Sequence, residues 1–481
     1  MAASRCGYAR AMGGLRELTW GRRKTVDEAV AGTDEEGYRL RRELGALDVT
    51  VLGIGVIIGA GIFVLTGNAA ATEAGPAIVL SFVLAGVVCV FAALCYAEFA
   101  AMVPVAGSAY TFSYATLGEL VAFIIGWDLA LEFIVGSSAV AVGWSAYLNS
   151  TLDQIFGVTL PAAISGPPSA DGGAINLPAI AIVAVVAFLL VRGIRVTAKA
   201  NVAITATIVA VLVLVILIGG TEVDSGNWSP FTPFGWDGIV GGAAVVFFAY
   251  IGFDIVATTA EETRNPQRDM PIGILGSLAV VTILYFLVAG VITGMVPYEQ
   301  LGSAAPIADA FEALDRPWAA AVVYAGALVA LTNTVLILML GQTRVGFAMA
   351  RDRLFPPALA RTHERYGTPA RLTIIIATLV ALMSGFTGID TLADLVNIGT
   401  LFAFILVAIG IVLLRRADPD RPRPFRTPLV PAVPIIAVGL SIWLMITLSG
   451  ATWVRFVVWM AIGLVVYFGY ARKRSRFGQG A

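Results

Sequence analysis

Charged residues are scarce in this sequence of 481 amino acids: Asp, Glu, Lys and Arg make up 13% of the chain, against 58% hydrophobic residues. The mean hydropathy is +0.86. Soluble globular proteins carry about twice this share of charge, so the composition excludes that class and predicts an integral membrane protein. The formal net charge of −1 leaves no excess of basic residues for a nucleic-acid-binding face. No nucleic-acid partner is therefore expected.

Histidine and cysteine are also nearly absent, which limits the chemistry available inside the membrane. The single histidine, His363, lies in a polar loop beside Glu364 and Arg365. The three cysteines, at positions 6, 89 and 95, lack the spacing of metal ligands, and we interpret them as reduced packing residues. The sequence has neither an HExxH nor a GxSxG motif. We therefore expect no metal, no cofactor and no enzymatic activity.

Twelve apolar segments follow a mixed-charge N-terminal arm at residues 1–47. Each is a candidate for a helix that crosses the bilayer, which needs roughly 20 apolar residues. The segments are 48–70, 76–103, 118–147, 175–192, 199–220, 238–260, 271–295, 317–344, 371–386, 395–414, 431–449 and 452–471. An even number of spans puts both termini on the same side of the membrane.

The basic residues predict which side that is. If the termini are cytoplasmic, Arg316 and Arg455 are the only two of the 31 Lys and Arg residues outside, as the positive-inside rule favours. Glu98, Glu261 and Glu262 then lie at cytoplasmic ends of spans, where we expect them to pair with nearby arginines. The sequence thus predicts a multi-pass protein of the cytoplasmic membrane with both termini inside.

The first span contains a glycine-rich stretch, GIGVIIGAGIFVLTG, from Gly53 to Gly67. Glycine weakens a helix, and a broken helix is tolerated in the membrane only where the break is buried in protein or lines a polar cavity. A helix that restarts near Gly61 would present free amide groups suited to a carboxylate. Alternatively, Gly55 and Gly59, spaced as GxxxG, allow another helix to pack closely.

The sixth span, from Gly238 to Ala260, has a matching irregularity. It carries paired glycines early and an IGFD interruption later, which predicts a break near Ala249 to Gly252 and the release of backbone carbonyls there. The two irregular spans lie five apart and so run in opposite directions, as two inverted five-span repeats would produce. Together the breaks would bind a zwitterion, its carboxylate on amides of the first span and its ammonium on carbonyls of the sixth.

Polar residues inside the spans are the other candidates for function, because they are costly in a membrane. Asp128 and Glu132 are four residues apart in the third span and share a helix face, and Asp254 follows the predicted break of the sixth. Each is a candidate proton carrier; the alternative is a hydrogen bond to backbone exposed at a break. Asn333, between two threonines in the eighth span, is a candidate for an interhelical hydrogen bond or for a substrate or ion site.

Four blocks of the sequence resemble the amino acid-polyamine-organocation permeases, and specifically the bacterial relatives of the cationic amino acid transporters. The blocks are GALDVTVLGIGVIIGAGIFVLTG, CYAEFAAMVPVAGSAYTFSYATLGELVAFIIGWDLALEF, FFAYIGFDIVATTAEETRNPQRDMPIGI and LGQTRVGFAMARDRLFP. The resemblance runs from about Glu35 to Arg426. It implies an all-α membrane protein with the LeuT-type fold, in which two inverted five-helix repeats with broken helices 1 and 6 alternate access around a central site.

The resemblance adds site residues to those taken from the sequence pattern. The expected substrate-binding residues are Ile57, Gly59, Ala60, Gly61, Ile62, Phe248, Ala249, Ile251 and Asn333. The expected coupling-ion residues are Glu132, Asp128, Asp254 and Thr207. Proton-coupled relatives have a lysine in the fifth span, where this chain has Thr205, Thr207 and Ile208. Proton coupling, sodium coupling and exchange therefore all remain open.

The function predicted from the sequence is secondary active import of an α-amino acid with a proton. The alternatives are an uncoupled, exchanging or sodium-coupled amino acid or polyamine transporter and, from another class, a membrane nutrient sensor. The expected partners are an amino acid, a proton or sodium ion, and the lipid bilayer. The predicted organisation is an arm at 1–47, a ten-helix core at 48–414 with repeats at about 48–220 and 238–414, a cytoplasmic basic loop at 415–430, helices eleven and twelve at 431–471, and a tail at 472–481.

Overall fold

The computed structural model describes residues 42–105, 107–170, 172–193 and 198–475. The predicted N-terminal arm up to residue 41, with Cys6, lies outside the described residues, as does the tail from residue 476. Within the described part of the chain, all regular structure is helical apart from two isolated bridges, Leu44 to Thr263 and Ser165 to Asn176.

The longer helices are numbered here in chain order. They are α1 (Ala46–Ile57), α2 (Ile78–Met102), α3 (Ala109–Thr116), α4 (Glu119–Phe156), α5 (Leu177–Val191), α6 (Ala198–Gly219), α7 (Gly235–Val246), α8 (Pro266–Met295), α9 (Pro306–Ala313), α10 (Pro317–Arg351), α11 (Ala370–Phe386), α12 (Ile389–Ala417), α13 (Ala432–Thr447) and α14 (Gly450–Val466). Short π-helical, α-helical and 3₁₀ segments continue the chain after α1, over residues 61–77, and after α7, over residues 247–262.

Eight helical stretches in the described residues are long and apolar enough to cross a membrane, and α1, α5, α11 and α13 are shorter apolar helices beside them. Large apolar side chains cover the outside of the molecule, among them Ile283 and Val465, which are 61% and 73% exposed. Such side chains are stable in contact with lipid and not with water. The expectation of an all-α, multi-pass membrane protein is therefore confirmed.

The helices pack in two groups. One group consists of α1, α2, α7 and α8, in which α8 contacts both α1 and α2 extensively and α7 contacts α2. The other consists of α4, α5, α10, α11 and α12, with α4 at its centre against α10 and α12. Helix α6 contacts α1 and α8 of the first group and α10 of the second, and α13 packs against α12 and α2.

Small residues allow the close contacts within the first group, as is usual where helices meet inside a membrane. A Cβ atom on Gly53 of α1 would be 2.5 Å from the Ser277 hydroxyl of α8, and a Cβ on Gly273 of α8 would overlap the side chain of Val49. The small residues of α1 thus allow one face of this helix to pack against α8. Its other faces contact α6 and α10.

The rare cysteine and histidine residues have structural positions. Cys89 and Cys95 are buried free thiols in α2, as expected for packing residues. His363 is exposed in the loop between α10 and α11, where its Nδ1 accepts a hydrogen bond from the Arg365 amide at 3.2 Å.

Candidate functional site

The first helix break follows α1. The helix ends at Ile57, residues 58 and 59 form a bend, Ala60 is again helical with φ −59° and ψ −24°, and a π-helical turn begins at Gly61. The first amide after the break that donates to the backbone is that of Phe63, to the Gly59 carbonyl at 3.3 Å. The amides of residues 59–62 therefore form the first turn of a new helix, whose N–H groups have no intrahelical acceptor. These are the amides that the sequence predicts for a carboxylate, and they are buried.

The second break follows α7. A 3₁₀ turn over Phe247–Tyr250 leads to Ile251 in an extended conformation and to Gly252 with φ 125°. Only glycine adopts that conformation without strain, so Gly252 fixes the position of the interruption. The helix resumes at Phe253, and the Ile255 amide donates to the Gly252 carbonyl at 3.1 Å. The break thus lies in the stretch where the sequence predicts it.

The two breaks are in direct contact. A Cβ atom on Gly61 would overlap the backbone of Ala249, so the two main chains touch at this point and no side chain fits between them. Phe248, Ala249 and Ile251 are all buried, as are Ala60 and Ile62 on the other side of the contact. The structure therefore brings the amides of one break and the carbonyls of the other together, although the two breaks lie about 190 residues apart in the chain.

Side chains from two other helices bind the carbonyls that α1 releases at its break. The Asn333 amide of α10 donates to the Gly55 carbonyl at 3.0 Å. The Thr334 hydroxyl lies 3.2 Å from the Ile58 carbonyl. From α8, the Tyr285 hydroxyl lies 2.8 Å from the Ile57 carbonyl and 3.0 Å from the Ala249 carbonyl. The Gly55, Ile57 and Ile58 carbonyls thus lie within hydrogen-bond reach of side-chain donors, which buried backbone requires.

Tyr285 is a site residue that the sequence pattern does not identify. Its hydroxyl joins two of the carbonyls predicted to bind the ammonium of a substrate, one from each break. A tyrosine within an otherwise apolar span is the sign that marks it in the sequence, because a buried phenol needs a hydrogen-bond partner. The position of that partner depends on the tertiary fold, which the sequence pattern does not provide.

In α6, the fifth predicted span, the buried threonine is Thr205 and not the expected Thr207. Thr207 lies on the exposed face of the helix, where its hydroxyl donates to the Ala203 carbonyl at 3.0 Å. Thr205 and Ile208 are the buried residues instead, and Thr205 faces Gly55 of α1. Positions 205 and 207 point to nearly opposite sides of a helix with 3.6 residues per turn. The structure therefore does not bring Thr207 to the other candidate site residues.

The two glycines spaced as GxxxG also serve packing. A Cβ on Gly55 would overlap the Thr205 hydroxyl of α6, and one on Gly59 would lie 3.1 Å from the Thr334 side chain of α10. The packing alternative raised for this stretch and the break in the helix are therefore both present. The same small residues that leave the helix weak let α6 and α10 approach it.

The three carboxyl groups predicted inside the membrane are buried and close to one another. Asp128, Glu132 and Asp254 are each at most 1% exposed. None of their six carboxyl oxygens makes a hydrogen bond of good geometry among the residues that the structure describes, although the Thr400 side chain lies near Glu132 and backbone amides of the second break lie near Asp254. Asp128 and Asp254 both lie within electrostatic range of Glu132. Buried carboxyl groups without full hydrogen bonding are costly, which makes the cluster a candidate for function.

Tyr96 of α2 belongs to the same cluster and was not singled out in the sequence. Its hydroxyl is fully buried and has no hydrogen-bond partner within the described ranges. It lies within electrostatic range of Asp254, Glu132 and Asp128, and its ring contacts Phe253 at a centroid distance of 5.7 Å. A phenol that can donate and accept a proton thus accompanies the three carboxyl groups.

Two of the carboxylates at the ends of the spans are paired with arginines, as the sequence predicts. Glu98 accepts hydrogen bonds from the Arg415 guanidinium at 3.0 and 2.7 Å and from the Thr427 amide at 2.7 Å. Glu262 pairs with Arg344. Glu98 is fully buried, and its ion pair with Arg415 ties the end of α12 to α2, while its hydrogen bond from the Thr427 amide fastens the loop after α12 to α2.

The chain is similar to known membrane transporters. The family model described as amino acid permease matches residues 44–469. The chain is 46% identical over 437 residues to the methylthioribose transporter of Bacillus subtilis (strain 168), covering 91% of this chain and 95% of that protein. It is 46% identical over 462 residues to the branched-chain amino acid permease BcaP of the same organism, covering 95% and 99%. It is 39% identical over 408 residues to the vacuolar cationic amino acid transporter 4 of Arabidopsis thaliana, covering 83% and 67%.

Proposed function

Because the chain belongs to the amino acid permease family of the amino acid-polyamine-organocation superfamily, we propose that it imports an α-amino acid by alternating access, coupled to a proton. The family and its relatives are transporters, and the expectation that the chain is not an enzyme is confirmed. The observation that carries the proposal is the contact between the two helix breaks at Gly61 and Ala249. A break in each of two helices leaves backbone groups of opposite polarity at one place, which suits a zwitterion.

Backbone groups bind the two charges of the substrate in this proposal. The amides of Gly59, Ala60, Gly61 and Ile62 receive the carboxylate, because the start of a helix combines free N–H groups with the positive end of the helix dipole. The carbonyls of Ile57, Phe248, Ala249 and Ile251 receive the ammonium. The Tyr285 hydroxyl lies between two of these carbonyls and donates its one proton to one of them at a time. The ammonium takes the place of that hydroxyl when the substrate binds.

Twelve spans in a LeuT-type arrangement are part of the same proposal, with the domain boundaries given from the sequence. Every predicted apolar segment coincides with helical structure in the described residues. The packing repeats with an offset of five spans: the first, second, sixth and seventh spans (α1, α2, α7, α8) form one group, and the third, fourth, eighth and ninth (α4, α5, α10, α11) belong to the other. Two inverted repeats of five helices account for this regularity.

Glu132 carries the coupling proton in this proposal, with Asp254 and Asp128 beside it. The burial of all three and the absence of hydrogen bonds of good geometry to their oxygens in the described chain support this assignment. In this proposal Glu132 carries a proton while the site is closed to water, and a conformational change that hydrates the site releases it. Thr207 is not retained, because it lies on the outer face of α6.

Asn333 holds the first break in place rather than binding the substrate directly. Its amide is engaged by the Gly55 carbonyl, close to the buried residues Thr205 and Ile208 that replace the fifth-span lysine of proton-coupled relatives. Sodium coupling is the alternative at this place, and it requires that a cation displace the Asn333 amide from Gly55. The proton is favoured because carboxyl groups without full hydrogen bonding are present and the carbonyls of α1 already lie within reach of donors.

The substrate side chain is proposed to be apolar. The side chains at the breaks are those of Ile57, Ile62, Phe248 and Ile251, and the 46% identical relative BcaP is named for branched-chain amino acids. A second candidate substrate is methylthioribose, for which an equally similar relative is named. That molecule has no carboxylate or ammonium, so it would not use the backbone groups at the breaks.

The orientation is proposed from the basic residues. The chain is a multi-pass membrane protein, and we place it in the cytoplasmic membrane with both termini and the loop at 415–430 inside, since this leaves only Arg316 and Arg455 among the basic residues outside.

Uptake into proteoliposomes tests the proposed function. Purified protein would be offered labelled leucine, arginine and methylthioribose separately, with pH and sodium gradients imposed one at a time. We expect saturable leucine uptake that an inward proton gradient raises above equilibrium and that a sodium gradient leaves unchanged. Accumulation driven only by sodium would overturn the proton assignment, and saturable uptake of methylthioribose alone would overturn the amino acid assignment.

A further inference from the structure

A groove separates the start of α8 from the loop after α12. Its volume is about 520 Å³, and Arg268, Ile272 and Leu275 of α8 line one wall while Pro424 and Phe425 of the loop line the other. From this groove we infer that the protein binds an anionic glycerophospholipid, with the phosphate at Arg268 and an acyl chain along α8. The inference is independent of the transport mechanism.

The loop wall of the groove is held in place by buried contacts. Glu98 accepts from the amide of Thr427 at 2.7 Å, and the Thr427 hydroxyl donates to the Leu94 carbonyl at 2.9 Å. Both acceptors belong to α2. Phe425 therefore lies two residues from Thr427, which two hydrogen bonds fix to α2. The groove is thus a built feature rather than the gap beside a free loop.

The groove carries a positive charge and therefore favours an anionic ligand. Arg268 is the one charged residue among those that line it, it is exposed, and no carboxylate in the described chain pairs with its guanidinium. It lies in the first turn of a 30-residue apolar helix, which is the depth at which lipid headgroups meet a spanning helix. A guanidinium matches a phosphate in both charge and geometry.

The apolar part of the groove continues along the outside of α8. Ile272 lies one helical turn after Arg268 and is 44% exposed, and the exposed side chains that follow it on the same helix face are Val280, Ile283 and Leu287. From residue 272 to residue 287 the stripe is roughly 22 Å long at 1.5 Å per residue. One leaflet of the hydrocarbon core is about 15 Å thick. A single acyl chain can therefore lie along the stripe with its phosphate at Arg268.

Binding of defined lipids to the purified full-length chain tests the inference. Native mass spectrometry of the detergent-solubilised protein would compare retention of phosphatidylglycerol with that of phosphatidylcholine. We expect a preference for phosphatidylglycerol, and Arg268→Gln should weaken its binding about fivefold, to the level of phosphatidylcholine, because one arginine at the membrane surface contributes about that much. Arg268→Lys should retain most of the binding.

Matched variants separate this site from general surface charge. Arg371→Gln removes an exposed arginine near the start of another apolar helix, α11, and should leave the preference unchanged. Phe425→Ser should weaken both lipids alike. Glycerophosphoglycerol, which has the same headgroup without acyl chains, should not displace the lipid. Equal losses in Arg268→Gln and Arg371→Gln, equal binding of both lipids by the unmodified protein, or displacement by glycerophosphoglycerol would each overturn the inference.

Discussion

Gly61 and Ala249 meet backbone to backbone, because a Cβ atom on Gly61 would overlap the N and Cα atoms of Ala249. This single contact joins the two helix breaks on which the proposed substrate site depends. It also gives a direct way to perturb the site without changing any polar group.

Gly61→Ala should reduce uptake strongly. The added methyl group forces the two breaks apart, and overpacking of this kind costs about 1–3 kcal/mol, equivalent to about 5- to 150-fold in an equilibrium constant. Uptake of labelled leucine into proteoliposomes measures the effect. Gly136→Ala is the matched control, because Gly136 is also buried in a spanning helix but a Cβ there makes only ordinary contacts, the nearest at 3.7 Å. Similar uptake by the two variants would contradict the proposed position of the site.

Tyr285→Phe should impair transport more than it impairs folding. The variant removes the hydroxyl shared by the Ile57 and Ala249 carbonyls, and a buried carbonyl without a donor costs about 1–3 kcal/mol. Tyr110→Phe is the control: this tyrosine of α3 is also fully buried, and its hydroxyl donates at 2.8 Å to the Asp352 carboxylate after the end of α10, in neither break. Thermal unfolding and the KM for uptake would be measured for both. A KM change of the same size in both variants would show that Tyr285 has no special role at the breaks.

Glu132→Gln should abolish accumulation driven by a proton gradient while leaving exchange intact. The glutamine keeps the size of the side chain and cannot lose a proton, so an inward proton gradient no longer has a group to act on. Accumulation would be measured with the inside more alkaline than the outside, and exchange of internal for external substrate at equal pH. Unchanged accumulation in the variant would assign the proton to another group, the nearest being Asp254 and Asp128.

Glu98→Gln should lower the thermal stability of the protein in detergent. Glu98 is fully buried and its carboxylate is the partner of Arg415, and breaking a buried ion pair by removal of one partner costs about 3–5 kcal/mol. Glu222→Gln is the control. Its partner Arg316 is 48% exposed, and an exposed pair contributes only about 0–1 kcal/mol. Equal unfolding temperatures for the two variants would mean that the Glu98 pair does not hold the end of α12.

The positions of the two breaks were accessible from the sequence because glycine acts locally. The stretch from Gly53 to Gly67 and the IGFD sequence weaken a helix whatever surrounds them, and the structure interrupts the chain at 58–59 and at Ile251–Gly252. Length and hydropathy likewise located the apolar helices, since both properties belong to single segments. The pairing of Glu98 and Glu262 with arginines followed from the cost of an unpaired charge near the membrane.

The faces of the helices were much harder to predict. In a soluble protein the polar side of a helix marks its outside, but here lipid and protein interior are both apolar, so the pattern along α6 does not distinguish them. The sequence therefore predicts Thr207 as a coupling-ion residue, whereas Thr205 is the buried threonine in the structure. Tyr285 and Tyr96 were missed for the same reason, since their partners come from helices that are distant in the chain. Only the tertiary fold brings those groups together.

The side-chain donors at the broken end of α1 come from both packing groups. If the two groups move relative to each other, donors from the group of α1 stay in place and donors from the other group separate from it. Tyr285 belongs to α8, which packs with α1, so its hydrogen bond to Ile57 travels with the helix. Asn333 and Thr334 belong to α10 in the other group. Any displacement of α1 relative to α10 must first release the Asn333 bond, at about 1 kcal/mol, whereas the single hydroxyl proton of Thr334 can bind the Ala330 carbonyl of its own helix, 3.0 Å away. Movement of the break therefore has a free-energy cost, and a ligand that binds the freed backbone groups lowers that cost.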